Sequence, residues 1–189
     1  TLAARHDLAV WRGEAGDAAG AAVAFEQLVA DQVRVLGEDH PDTLAARNSL
    51  AHWRGEAGDA AGAAAAFEQL LADRLRVLGE DYPATLTTRS NLARWRGEMG
   101  DVVGAAVAFE QLVADRVRVL GEDHPDTLAA RHNLAHWRGE AGDTAGAAAA
   151  FEQLVADRVR VLGEDHPHTL AARHNLAHWR GKAGETPRA

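Results

Sequence analysis

A 42-residue period runs through the 189 residues of this chain and constrains its fold more than any other feature. Thr1-Leu2, Thr43-Leu44, Thr85-Leu86, Thr127-Leu128 and Thr169-Leu170 mark it. So do Trp11, Trp53, Trp95, Trp137 and Trp179, with Phe25, Phe67, Phe109 and Phe151, which together account for every Trp and Phe in the chain. Residues 43–84 and 127–168 differ at only 7 of 42 positions. A tandem array follows, with units 1–42, 43–84, 85–126 and 127–168, a terminal half-unit 169–184 and a tail 185–189.

Each unit reads as two helices. In the second, Asp39-His40 leads into Pro41; the residue before proline avoids helical angles and proline suits the first helical position, so a helix from Pro41 to about residue 57 is expected. Asp42 complements its dipole. Gly58 serves as a left-handed stop, Asp59 as the cap of a second helix over about residues 60–78, and Gly79 as its end. Ala63, Phe67, Leu70, Leu71, Leu75 and Leu78 form its apolar stripe. Nothing alternates with a period of two, so the class is all-α. One pair carries too little apolar surface to fold alone, and neighbouring pairs must share a core. The alanine-rich stretch 60–66 becomes a close-packing surface anchored by Phe67.

Composition excludes several functions. The chain has no cysteine, which removes disulfides and thiolate metal sites, and no apolar run long enough to span a membrane. A net charge of −8 disfavours nucleic acid and anionic membranes, whose recognition needs clustered positive charge. Serine occurs only at Ser49 and Ser90, neither in a nucleophile turn, and carboxylates such as Glu68 and Asp73 recur in the units as on a solvated face. Gly181-Lys182-Ala183 lacks the spacing and hydroxyl of a phosphate loop. Neither enzyme activity nor a cofactor is expected, and a cytoplasmic location is.

Leu50-Ala51 in the first helix, Gly58-Asp59 at the turn, and Ala63 with Phe67 in the second resemble the tetratricopeptide repeat. The 42-residue length and the Leu-Gly-Glu-Asp-His-Pro-Asp-Thr-Leu junction from Leu36 to Leu44 are closest to its kinesin-light-chain type. The run from Arg131 to Asp143 is also similar to actinobacterial arrays found behind nucleotide-binding oligomerisation modules. The resemblance implies a right-handed α-solenoid of antiparallel helix pairs, here four and a half repeats, acting as a non-catalytic scaffold that binds an extended protein segment on a concave face lined by first helices. Two arginine rows depart from the family pattern: Arg5, Arg47, Arg89, Arg131 and Arg173, and Arg12, Arg54, Arg96, Arg138 and Arg180. Such side chains either snorkel past the tryptophans or pair with carboxylates such as Glu68 and Asp73.

On the first helices the columns that vary between copies are polar. One holds His6, Asn48, Ser90, His132 and His174; the next holds Asp7, Ser49, Asn91, Asn133 and Asn175; a third holds Val10, His52, Arg94, His136 and His178. The resemblance implies that Asn91, Asn133 and Asn175 hydrogen-bond the backbone of a bound peptide, since an amide both donates and accepts. Asn48, His52, Asn91, Arg94, His132, Asn133, His136, His174, Asn175 and His178 are therefore the candidate binding residues. The i, i+4 pairs His132/His136 and His174/His178 raise a metal-binding scaffold as an alternative, but no carboxylate accompanies them and no metal site is expected. A self-assembling array is the other alternative. Residues 1–42 carry 3 arginines against 8 carboxylates, a charge of −5, whereas residues 169–189 carry 4 basic groups against Glu185, a charge of +3, which favours weak head-to-tail association.

Overall fold

The computed structural model describes residues 1–185; the tail at 186–189 lies outside the described residues. Among those described, all regular structure is helical, in nine helices: α1 (Leu2–Glu14), α2 (Ala18–Leu36), α3 (Pro41–Glu56), α4 (Ala60–Leu78), α5 (Pro83–Glu98), α6 (Val102–Leu120), α7 (Pro125–Glu140), α8 (Thr144–Leu162) and α9 (Pro167–Glu185). None is long and apolar enough to cross a membrane. Two compact units contain them, residues 1–99 with α1 to α5 and residues 100–189 with α6 to α9. Within each unit, helices adjacent in sequence pack as antiparallel neighbours, the arrangement of an α-solenoid.

The local chemistry that starts and stops the second helices is the same in each copy. Asp17, Asp59, Asp101 and Asp143 cap the second helices by accepting the N–H of Gly20, Gly62, Gly104 and Gly146. A Cβ on Gly62 would meet the Asp59 carboxylate, so the cap itself explains a glycine inside a helix. Gly58 stands at φ +101°, a turn that an L side chain rarely adopts. First helices from α3 onward begin at proline, and the His40 and His124 rings accept the N–H of Asp42 and Asp126 through Nδ1.

The core joins three helices at a time. In the first unit Leu44 and Ala51 of α3, Phe67 and Leu70 of α4, and Trp95 of α5 form one cluster. In the second, Leu128 of α7, Phe151 and Leu154 of α8, and Ala172 and Trp179 of α9 form its counterpart. Each of these tryptophans reaches back to the preceding first helix, where its ring covers a glycine. An added Cβ would lie 2.5 Å from the Trp53 ring at Gly13 and 2.5 Å from Trp179 at Gly139, and it would run into the Trp95 ring at Gly55. These glycines lie inside helices, where glycine costs about 1 kcal/mol relative to alanine, and the ring's close approach explains their presence.

Two expectations from the sequence need correction. Leu75 lies outside the core, 44% exposed, while Arg74 is buried with 5% exposure, because position 74 is one turn beyond Leu70 on the Phe67 face. Stacking of repeats, as read from the sequence, also implies that the last helix has a single neighbour and holds Trp179 less firmly than the middle tryptophans are held. Trp179 is 1% exposed and Trp11 67%, because the neighbour that covers each ring is the preceding repeat.

Trp95→Ala or Phe109→Ala should cost roughly 3–5 kcal/mol in urea unfolding, and Trp11→Ala less than about 0.5 kcal/mol. Gly55→Ala should destabilise by about 1–3 kcal/mol despite the better helix propensity, because the Trp95 ring must move. Gly181→Ala, at the equivalent position in α9 with nothing within 4 Å, should be neutral or stabilising; equal losses for both glycines would contradict this packing.

Candidate functional site

In the first unit the polar columns lie on α1, α3 and α5. Asn91 Nδ2 donates to Asn48 Oδ1 at 3.3 Å, so the two candidate amides are bonded to each other across neighbouring first helices. His52 packs edge-on against Trp53, and burial pushes its pKa down, opposed by Glu56. Arg94 lies over the Trp95 ring and donates to Glu56 at 2.7 Å. Asn48, Ser49 and Thr87 line a crevice of about 330 Å³ with Arg74.

In the second unit α7 and α9 carry the columns. The His132 ring is half-buried, edge-on to Phe151, with Nδ1 3.4 Å from Arg158 Nη1 and Nε2 3.2 Å from Asn175 Nδ2. A guanidinium only donates, so Nδ1 is the unprotonated nitrogen and Nε2 carries the hydrogen. The bond to Asn175 is complete when its amide presents Oδ1 to that hydrogen. Burial, then the Arg158, His136 and His168 charges, hold the His132 pKa down to about 4. His136 touches Trp137 and Trp179 edge-on, His178 touches Trp179, and Asn133 is half-buried. His174 is exposed.

Thus the structure joins Asn48 with Asn91 and His132 with Asn175, whereas His174 and His178 stand in the open. Both His132 nitrogens face protein groups, which removes one half of the His132/His136 pair as a chelator. Among the described residues, no three His, Asp or Glu side chains are placed to hold a metal ion.

Carboxylates meet both arginine rows. Arg47 and Arg131 pair with Asp73 and Asp157 of the same repeat, each at 2.8 Å. Arg54, Arg96, Arg138 and Arg180 instead reach Glu26, Glu68, Glu110 and Glu152 on the preceding second helix. These half-exposed pairs add little stability individually and align neighbouring repeats.

Sequence reasoning missed the buried arginines of the second helices. Arg74 donates from Nη1 to Ala84 O at 2.7 Å and Thr88 Oγ1 at 2.6 Å, and from Nη2 to Leu44 O at 3.1 Å, tying α4 to the openings of α3 and α5. Arg158 does the same in the second unit through His168 O and Leu128 O. Burial lowers both pKa values. The signal was present: residues 67, 70 and 74 share one helical face.

Below pH 6.5 the unfolded chain protonates His132 before the folded chain does, so this group's stabilisation is full above that pH and falls away towards pH 4. His132→Asn, which copies Asn48, should flatten the pH dependence of unfolding free energy across that window by about 1–3 kcal/mol. An unchanged slope would mean that His132 is not held neutral.

Comparison with known families matches the tetratricopeptide repeat at residues 1–42, 43–83, 85–126 and 127–168. No curated protein matches the chain. Among solved structures, a singly substituted form of the nearly identical, kinesin-light-chain-type repeats from Podosopora anserina is 32% identical, with a TM-score of 0.83 over 98% of this chain and 87% of that one. The form without that substitution gives 32% identity and 0.81 over 98% and 88%. BtubC from P. vanneervenii shares 22% identity at a TM-score of 0.79 over 94% and 71%, a likeness of fold alone.

Proposed function

Because this chain belongs to the tetratricopeptide-repeat family, whose members are generally protein-interaction scaffolds, we propose that it holds an extended peptide along the polar columns of its first helices. The supporting observation is the contrast between columns. Phe25, Phe67, Phe109 and Phe151 are invariant within the chain and fully buried, while the column of His6, Asn48, Ser90, His132 and His174 changes from copy to copy at partly or fully accessible positions. The Asn48–Asn91 and His132–Asn175 bonds hold these groups in fixed directions, which lowers the entropy lost on binding. Several of its side chains are bonded or stacked within the protein, an arrangement suited to recognition. A second reading, weak head-to-tail self-association, draws on the −5 and +3 charges of the two ends.

Selection of peptides from a random display library should yield binders of the full chain. Alanine at both Asn133 and Asn175 should weaken the best binder at least about tenfold, equivalent to about 1.4 kcal/mol, with the circular dichroism spectrum unchanged. Binders indifferent to that double change, or no binders at all, would overturn the groove reading.

A further inference from the structure

The crevice between first helices recurs along the chain, and one copy of it differs in charge. In the second repeat Asn48, Ser49 and Ala84 line it together with Arg74. One period earlier the same places belong to His6, Asp7, Asp42 and Gln32, which line a hollow of about 280 Å³ between α1, α2 and α3. The second-repeat crevice stays open at about 330 Å³ although His6 of the preceding repeat borders it, so a flanking repeat does not close this feature.

Arg74, Arg116 and Arg158 are buried at the position of Gln32, and each donates to a carbonyl at the start of the following first helix, Ala84 O, Asp126 O or His168 O, at 2.7 Å. Arg74 and Arg158 also donate to Leu44 O and Leu128 O, at the start of the first helix of their own repeat. Gln32 is equally buried, 4% exposed, but its side chain stops two atoms short of where those guanidinium nitrogens lie, and its Oε1 has no hydrogen-bond partner among the described residues. The rim is acidic as well, with Asp7 in place of Ser49 and Asp42 in place of Ala84. Asp31 and Asp73 are each held by an arginine within 2.8 Å. Asp7 and Asp42 have only His6 and His40 nearby, at 3.8 and 3.9 Å.

We propose that this crevice takes the guanidinium of an arginine side chain in the segment that the groove holds. The incoming group stands where Arg74 stands one repeat on, with its N–H groups toward the carbonyls of Leu2 and Asp42, the counterparts of Leu44 and Ala84. A half-turn of the Gln32 amide about its last bond aims Oε1 at an entering donor. Asp7 and Asp42 supply the countercharge. A planar donor fork suits the place better than an ammonium, because the same surroundings in the second and fourth repeats hold a guanidinium between two carbonyls. This deepens the peptide-groove reading and rests on it: His6 and Asp7 belong to the polar columns, so a segment lying on those columns passes over the opening.

Peptides selected from a random display library on the full chain test this. Arginine should recur at one position among the binders. Replacing it with citrulline, which keeps the shape and loses the charge, should weaken binding at least about tenfold, or about 1.4 kcal/mol. Gln32→Arg, which copies the second repeat and fills the crevice from within, should weaken the arginine peptide to a similar extent with the circular dichroism spectrum unchanged. In that variant the citrulline change should cost nothing further. Asp7→Ser with Asp42→Ala, again the second repeat's own residues, should remove the preference for arginine over citrulline, and this arm stands whether or not Gln32→Arg folds. Binders without a common arginine, or a citrulline effect undiminished in these variants, would overturn the inference and leave the groove reading in place. A library that yields no binders would overturn both.

Discussion

A tryptophan ring lying on a glycine of the preceding repeat is the contact on which the rest of this structure depends. It draws adjacent first helices together at Gly13, Gly55 and Gly139, and it makes the burial of each repeat's largest side chain the property of two repeats. That dependence explains a helix-disfavouring residue at a fixed helical position. It also explains why Trp11 is open and Trp179 is not, because the contact points one way along the chain.

Polar groups follow the same logic. First-helix arginines bond the second helix of the repeat before, and Arg74 and Arg158 bond the backbone at the starts of two first helices each. Buried guanidinium groups of this kind carry a desolvation cost that carbonyl partners only partly offset, so their contribution is geometric: they fix the spacing of first helices. The columns between those helices are the surface this spacing creates. Asn48 with Asn91, and His132 with Asn175, then bridge it side chain to side chain. These bonds hold the side chains they join in fixed directions.

Helix limits were legible to within a residue or two, since proline, aspartate and glycine act locally and recur in every copy. The terminal helix, Pro167–Glu185, starts two residues before and ends one beyond the 169–184 unit read from the period. Residues whose role depends on a third helix escaped. The period of α4 places Arg74 nearer the Phe67 face than Leu75, but a buried arginine is intelligible only once the carbonyls of α3 and α5 that accept its hydrogens are in place. The polar columns were legible by comparing copies, but their mutual bonding was not, since Asn175 and His132 stand 43 residues apart and only the stacking of repeats brings them within reach. The direction of Trp coverage likewise follows from the order of stacking.

No repeat of this chain has a core of its own. A synthetic peptide of residues 40–80, containing complete α3 and α4 with their caps but without the Gly13 and Trp95 contacts, tests this by far-ultraviolet circular dichroism through a thermal scan. A largely unfolded chain with a shallow, non-cooperative melt is expected, as for short helices whose stability comes from neighbours. A strongly helical spectrum with a sharp, cooperative transition at concentrations where the peptide is monomeric would contradict it.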